Sequence, residues 1–432
     1  PVTGTSSSIE REILIDGEIP FYGAHQIAFS RIWENANGQI IKKLDNEIKP
    51  VLSERSVWVQ EYIEDSQKRY ANAYKFYLTK GKHELTFKSI REPLLIGGIS
   101  FNKEEHIDPY SETLEKWQND YDIYLGTELK FQAEREGGVL NSIRRSDPTL
   151  FAISDFSSPK SEPYHPYKVR LNTIGGYNWR VVGDWIEWEI EVEETALYKI
   201  GVRSRQNTNR GLYSTREVKI NGEFPFEEAK NIKFNFSNDF EYEYLSNDSK
   251  SLYFLLEKGI NTISMEVTLG DFAEVVSELE DSVIVLNDLY RKIIQITGVS
   301  PDKYIDYRLK DKIPSMMQTL NDESTRLNSL MDKLVEITAN KGEQSMIIEK
   351  KFIQLNVLQE DPEEAINMRS TFKNNISALG NLLLTIKEQI LAIDYSVFST
   401  HDIVAAEANL FEKHHSGSYP FCPIFPLSLS AF

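Results

Sequence analysis

Two strand-like stretches carry the side chains whose types and spacing could do chemistry. In Trp185-Ile-Glu-Trp-Glu-Ile-Glu-Val192 the residues alternate, so Ile186, Trp188, Ile190 and Val192 share one face while Trp185, Glu187, Glu189 and Glu191 share the other. In Leu197-Tyr-Lys-Ile-Gly-Val-Arg-Ser-Arg205, Tyr198, Ile200 and Val202 read as inward, which leaves Lys199, Arg203 and Arg205 outward. A flat indole beside carboxylate and guanidinium groups suits a sugar ring, which presents an apolar face to stack on and hydroxyls for planar donors and acceptors. With the two strands as neighbours, Trp185, Glu187, Arg203 and Arg205 are expected to form one solvent-facing platform. The competing reading is a salt-bridged sheet face capped by a tryptophan.

The loop ahead of these strands is the second candidate for sugar contact. It holds Asn172, Tyr177, Asn178 and Trp179, and the polar loop after Arg205 adds Gln206, Asn207 and Arg210 as donors. Its competing reading is an aromatic plug over one end of a sandwich. Catalytic signatures are missing: there is no Gly-x-Ser-x-Gly elbow, no phosphate loop and no His-Glu-x-x-His, and His83-Glu84 stands alone in a strand. A non-enzymatic binding role is therefore expected.

Composition narrows the partner. A formal net charge of −18 disfavours nucleic acid and anionic membrane surfaces, both of which need clustered Lys and Arg. A neutral polar ligand such as an oligo- or polysaccharide fits better. Cys422 is the single cysteine, so neither an internal disulfide nor a thiolate metal site is available. No apolar run reaches membrane-spanning length. A start at Pro1, without Met or a leader, predicts a fragment of a longer chain.

The elements that must position these residues repeat. Arg11-Glu-Ile-Leu-Ile-Asp-Gly-Glu-Ile-Pro-Phe21 returns as Arg216-Glu-Val-Lys-Ile-Asn-Gly-Glu-Phe-Pro-Phe226, and Ala24, Ile27 and Phe29 return as Ala229, Ile232 and Phe234. Phe76 to Gly81 is echoed by Phe254 to Gly259, with alternating strands after each, Leu85 and Phe87 against Ile263 and Met265. Nothing before Arg11 answers Trp185–Val192 or Leu197–Arg205, so the first β-domain is expected to lack its opening strands and to lean on the second. Arg91 to Phe101 reads as its last strand, matched by Lys387 to Phe398 in the second copy. Between Met265 and that last strand lies a long helical pattern with apolar residues three and four apart, as in Val276, Leu279, Val283, Leu286, Leu289, Ile293 and Ile296. Further helices are expected at about 313–339, at 343–358, and from Asp361-Pro362 to about 386. Together they make an antiparallel bundle inserted into the second sandwich.

The expected organisation is α+β and multidomain: a truncated first β-sandwich at 1–110, a linker at 111–128, and a second β-sandwich at 129–272 completed by a strand at 388–398. The helical insertion fills 273–387, and an irregular tail, including His414-His415, fills 399–432.

The order Asn172-Thr-Ile-Gly, Gly183-Asp-Trp-Ile-Glu-Trp, Leu197-Tyr-Lys-Ile and Ile393-Asp394-Tyr395 resembles the jelly-roll (galactose-binding-like) carbohydrate-binding modules of families 6 and 35. Over nearly the whole chain the sequence is similar to the N-terminal region of Firmicutes extracellular solute-binding proteins of carbohydrate ABC transporters. The residues that carry this are Ser6 to Gly17, Thr297-Gly298 with Pro301-Asp302, and Asn374 to Gly380. That resemblance implies a cell-surface, extracellular protein that binds glycan and has ABC transporter components as partners. The alternative is a structural spacer or protein-docking module that binds no sugar. Phe131-Gln-Ala-Glu134 resembles the Glu-Ala-Glu opening of those modules, in which first-strand carboxylates and a last-strand Asp hold a structural calcium. The resemblance thus implies Glu134 and Asp394 as calcium ligands. Gln132 departs from the acidic position, and a hydrogen-bonded pair of edge residues is the alternative.

Overall fold

Asp16-Gly17 and Asn221-Gly222 both adopt left-handed backbone, with φ of 55° and 85° in the first pair and 53° and 83° in the second. Two successive positive φ angles make the tight turn that Asx-Gly dipeptides favour. In the computed structural model, which describes residues 8–399 apart from 37–39, 71, 104–105, 138–139 and 248–249, each turn closes the same unit. In the first copy, β1 (Ile9–Ile15) leads through a 3-10 turn at Tyr22–His25 to β2 (Ile27–Phe29). Among the short strands that precede β5 (Leu85–Arg91) are β3 (Trp33–Asn35) and β4 (Leu52–Glu54). The sheet order is β2-β1-β5, and its register repeats later in the chain. Ile13 faces Phe87 and Ile15 faces Leu85, as Val218 faces Met265 and Ile220 faces Ile263.

This first unit is thinly packed. Its fully buried apolar residues are Ile13, Ala24 and Ile27, with Phe21, Tyr74, Phe76 and Phe87 partly buried around them. The stretch from Pro93 to Phe101, expected as a last strand, is not one: it runs as irregular chain with Leu95, Ile96, Ile99 and Phe101 exposed. A last strand needs a facing sheet to pair with, and among the described residues no strand pairs with this stretch. The residues from Phe76 to Gly81 are likewise irregular, whereas their echo around Phe254 is a strand with Phe254 fully buried.

A helix, α1 (Tyr110–Asp120), packs Tyr110 and Trp117 on Phe226 and leads into the second copy. Its strands are β6 (Leu129–Gln132), β7 (Leu140–Arg145), β8 (Ile174–Gly176), β9 (Trp185–Val192), β10 (Ala196–Arg205), β11 (Tyr213–Ile220), β12 (Ile232–Asn235), β13 (Glu241–Tyr244), β14 (Tyr253–Leu256), β15 (Gly259–Thr268) and β16 (Leu391–Ser399). The front sheet runs β12-β11-β15-β9-β7-β3-β4. The back sheet runs β8-β16-β10-β13, with β14 also on β10 and β6 also on β16. Inward residues of both sheets, among them Trp188, Tyr198, Val218, Phe254, Met265, Ile393 and Phe398, make one apolar core. Strands β3 and β4 belong to the first copy in sequence yet extend the front sheet of the second.

The helices lie between β15 and β16: α2 (Ala273–Thr297), α3 (Met316–Thr338), α4 (Glu343–Glu360) and α5 (Arg369–Lys387). The expected fourth helix starts late. Asp361 Oδ1 accepts from Glu363 N at 3.0 Å and opens only a short turn at Glu364–Asn367, after which α5 begins. Leu279, Leu286, Leu327, Leu355, Phe372 and Leu379 close the bundle's own core. The chain leaves and re-enters the sandwich at one residue. Thr215 Oγ1 donates to Thr268 O at 2.6 Å on the way out, and Thr215 N donates to Gln389 Oε1 at 2.9 Å on the way back. The molecule is thus α+β, with β-sandwich regions and a helical bundle. Among the described residues no helix is long and apolar enough to cross a membrane. The tail beyond Ser399, with Cys422, His414 and His415, lies outside the described residues, as do Ser6 and Ser7.

Candidate functional site

The platform expected from strand parity does not form. Parity itself holds, since Trp188 is buried and donates Nε1 to Ala133 O at 2.8 Å, while Tyr198, Ile200 and Val202 point into the core. But β9 pairs with β15 and β7 in the front sheet, and β10 pairs with β13, β14 and β16 in the back sheet. The short link 193–195 crosses from one sheet to the other, so the outward faces of β9 and β10 lie on opposite sides of the sandwich. Trp185 and Glu187 therefore cannot join Arg203 and Arg205 around one ligand.

On the back sheet the outward row reads Tyr242, Arg203, Tyr395 and Gln132 across β13, β10, β16 and β6. The pairing of β10 with β16 shifts register after Arg203, which leaves Asp394 as an extra residue in a bulge. Asp394 is fully buried and ion-paired with Arg203, itself 7% exposed. Burial pushes the Asp394 carboxyl up to about 6, against the pull of the Arg203 guanidinium. Glu134 sits nearby, also buried, and burial holds its carboxyl well above the usual range, with Asp394 adding to the rise. Glu134 Oε1 accepts from Arg135 Nε at 3.2 Å, but Glu134 Oε2 and Gln132 Oε1 are buried with no hydrogen-bond partner. Unpartnered buried oxygens of this kind are what a hard cation takes, although the Asp394 carboxylate nearby is itself engaged by Arg203 and by Glu162 N, which donates to Oδ1 at 3.4 Å. Gln132, which departs from an acidic pattern in sequence, still offers an oxygen.

The loop candidates divide by burial. Asn172 is 1% exposed, and both ends of its amide are used: Oδ1 accepts from Asp155 N at 2.7 Å and Nδ2 donates to Asp155 O at 2.9 Å. Trp179 is wholly buried, donates Nε1 to Asp184 O at 3.1 Å, and carries the Arg216 guanidinium 4.3 Å over its ring. Neither can touch a ligand, which corrects both expectations. Trp179 is the plug. Tyr177 is 66% exposed, with the Arg180 guanidinium 3.9 Å over one face of its ring.

Arg205 adds a residue that sequence reasoning missed. It holds Asp155 through an ion pair and donates Nη1 to Ser157 Oγ at 2.6 Å, gripping both neighbours of Phe156 and leaving that ring half exposed. Ile153 bridges Thr173 in antiparallel sense, and a Cβ added to Gly176 would meet Ile153 at 3.7 Å, so the two segments touch at Ile153, with Phe156 and Tyr177 leading away from that point in opposite directions along the chain. The signal available was an aromatic set among the turn-formers of Ser154-Asp-Phe-Ser-Ser158.

The outward side of the front sheet is covered by the first copy. Glu187 accepts from Arg144 Nη1 at 3.0 Å, and Arg144 Nε also reaches Glu34 of β3 at 3.0 Å. Farther along, oxygens of Glu64, Glu217 and Glu266 lie within 4.8 Å of one another, a grouping that could hold a metal ion. The cation there is a lysine. Lys68 Nζ is 2.5 Å from Glu64, 3.4 Å from Glu217 and 2.8 Å from Glu266, and Lys219 Nζ is 2.8 Å from Glu217. Burial alone would lower the Lys68 pKa, but the three carboxylates outweigh it and hold the ammonium charged. Burial and the adjacent Glu217 push Glu266 up to about 8.

With the fold and these sites in view, comparison with known proteins bears on the bundle. Residues 274–387 match the family described as bacterial solute-binding protein, 4-helix bundle domain. No curated protein matches the chain. Among solved structures it is similar to a family 35 carbohydrate-binding module from Clostridium thermocellum, at 15% identity and a TM-score of 0.23 over 33% of this chain and 87% of that one. A family 35 module from Paenibacillus barcinonensis gives 16% identity and a TM-score of 0.21 over 33% of this chain and 88% of that one. A ruminal GH26 endo-beta-1,4-mannanase gives 13% and 0.21 over 34% of this chain and 25% of that one.

Proposed function

We propose that the chain is a non-catalytic carbohydrate-binding region of an extracellular, cell-surface sugar-uptake protein of the ABC-transporter solute-binding type. The observation that carries this reading is a pair of separately mounted exposed loop rings: Phe156, whose neighbours Asp155 and Ser157 are held by Arg205, and Tyr177, with the Arg180 guanidinium over one face. Rigidly mounted aromatic faces flanked by guanidinium groups suit the stacking of a neutral oligo- or polysaccharide. The solute-binding-protein match over 274–387 supports the uptake setting. Calcium at Glu134, Gln132 and Asp394 is part of the proposal, as a structural ion that would neutralise buried carboxylates beside the back sheet.

A second reading, a spacer or protein-docking module, is favoured by Ile284 of α2 and Leu384 of α5, apolar residues 65% and 59% exposed on two helices that pack together. A glycan array followed by titration calorimetry separates the two. Saturable binding of one glycan class, weakened about tenfold by Tyr177→Ala or Phe156→Ala, supports the first reading; no binding at millimolar glycan leaves the spacer.

A further inference from the structure

Both copies of the repeat keep one turn but change what sits on it. Phe21 and Ala24 correspond to Phe226 and Ala229, with a 3-10 turn at Tyr22–His25 in one copy and at Glu227–Lys230 in the other. After the phenylalanine the first copy has Tyr22-Gly23 where the second has Glu227-Glu228. Glu228 Oε2 accepts from Tyr110 N at 2.7 Å, and the Tyr110 ring of α1 lies 4.9 Å from Phe226. In the first copy Tyr74 stands in that role, its ring 4.7 Å from Phe21. A Cβ on Gly23 would come within 2.1 Å of the Tyr74 hydroxyl, so the ring fits only because residue 23 has no side chain. Beside it opens a cleft of about 280 Å³ whose walls include Phe21, Tyr22, Arg69, Tyr70 and, from α2, Ser277. The walls are held in place. Buried Asp65 accepts from Arg69 Nε and Arg69 N, both at 3.1 Å, and Asn72 Oδ1 accepts from Lys230 Nζ at 3.1 Å. The rings of Tyr22 and Tyr70 are exposed.

We infer that this cleft, between the first copy and the helical bundle, is a second carbohydrate site that takes the end of a neutral saccharide chain. This second site rests on the glycan-binding reading proposed above, with different residues carrying it. A sugar ring needs an apolar face to stack on and polar groups at its edge. Tyr22 and Tyr70 supply the faces, and their hydroxyls, the Ser277 hydroxyl and the Arg69 guanidinium supply the polar groups. Asp65 already answers the Arg69 charge, which favours a neutral ligand over an anion. The cleft lies at the small end of ligand sites, which run roughly 300–1,000 Å³, so it suits about one or two rings rather than a stretch of polymer. Two modest sites on one chain would hold a polysaccharide more tightly than either does alone.

The test uses the full chain with cellobiose, mannobiose, xylobiose and maltose in turn at millimolar concentration, read by hydroxyl-radical footprinting of exposed rings. Tyr304, exposed on the bundle, serves as the internal reference for radical scavenging by the sugar. At least one disaccharide is expected to slow labelling of Tyr22 and Tyr70 saturably relative to Tyr304. Tyr70→Ala is expected to weaken the protection of Tyr22 roughly tenfold, the share of one stacking ring. Tyr22→Ala should do the same to the protection of Tyr70, and both changes are at exposed positions that the fold tolerates. Protection confined to Phe156 and Tyr177 overturns the second site and leaves the first standing. Protection confined to Tyr22 and Tyr70 upholds the second site and removes the first. No protection of any of these rings overturns both, and protection that survives both alanine variants undiminished overturns the second site.

Discussion

Arg203 and Asp394 pair at the single point where β10 and β16 fall out of register. The bulge places the carboxylate beside both the guanidinium and Glu134, so one buried anion faces a cation and another anion together. Raised carboxyl pKa values mean that the folded state binds protons more tightly than the unfolded chain. Stability from Asp394 is therefore present below its unfolded pKa and lost as pH rises from about 4 through about 6. Calcium should reverse that loss. At pH 7.5 added calcium is expected to raise Tm by several degrees, and Glu134→Gln to abolish the rise; scanning calorimetry with and without chelator checks both.

Lys68 is the hub that fastens the first copy to the front sheet. Lys68→Met would strip Glu64 of the cation it shares with the others and leave Glu217 and Glu266 with Lys219 alone. A loss of about 3–5 kcal/mol is expected, as for a buried ion pair deprived of one partner. Adding Glu266→Gln should recover part of it. Denaturant unfolding of the single and double variants measures the difference.

Lys351 poses the opposite case in the bundle. It is fully buried under the Phe372 ring, 3.3 Å from its centroid, and donates only to Gln354 Oε1 and Phe372 O. Burial without a carboxylate pushes its pKa down to about 6. The unfolded chain takes up this proton near pH 10 and the folded chain only near 6, so stability rises with pH across that window. Lys351→Met is expected to flatten that slope and to gain a few kcal/mol at pH 7, read from urea melts between pH 6 and 9.

Trp179 and Tyr177, two residues apart, should behave oppositely. Trp179→Ala empties a core position and is expected to cost about 3–5 kcal/mol, whereas Tyr177→Ala should leave Tm within a degree or two. Thermal melts of the two variants decide it.

The sandwich-plus-bundle architecture was legible because its signals are local. Asx-Gly turns demand positive φ, and apolar spacings of three and four mark the helices through Leu279, Leu286 and Ile293. Strand parity also told inside from outside at Trp188 and Tyr198. What parity cannot tell is which sheet a strand joins, so the expected platform fails: Trp185 and Arg203 lie on opposite sides of the sandwich. Loop aromatics were harder still. Trp179 and Tyr177 look alike in sequence, and only the positions of Asp184, Arg216 and Arg180 in space separate the plug from the exposed ring. Lys68 gave no signal, because its three partners come from positions 64, 217 and 266.

Thr215 holds both ends of the helical insertion, through Thr268 on one side and Gln389 on the other. Tension drawn along the polypeptide through β15 and β16 is thus taken up by sheet hydrogen bonds, and the bundle hangs outside the load path. A single-molecule pull on the two flanking strands should meet the sandwich's resistance first, with the length stored in the helices released only after Thr215 lets go.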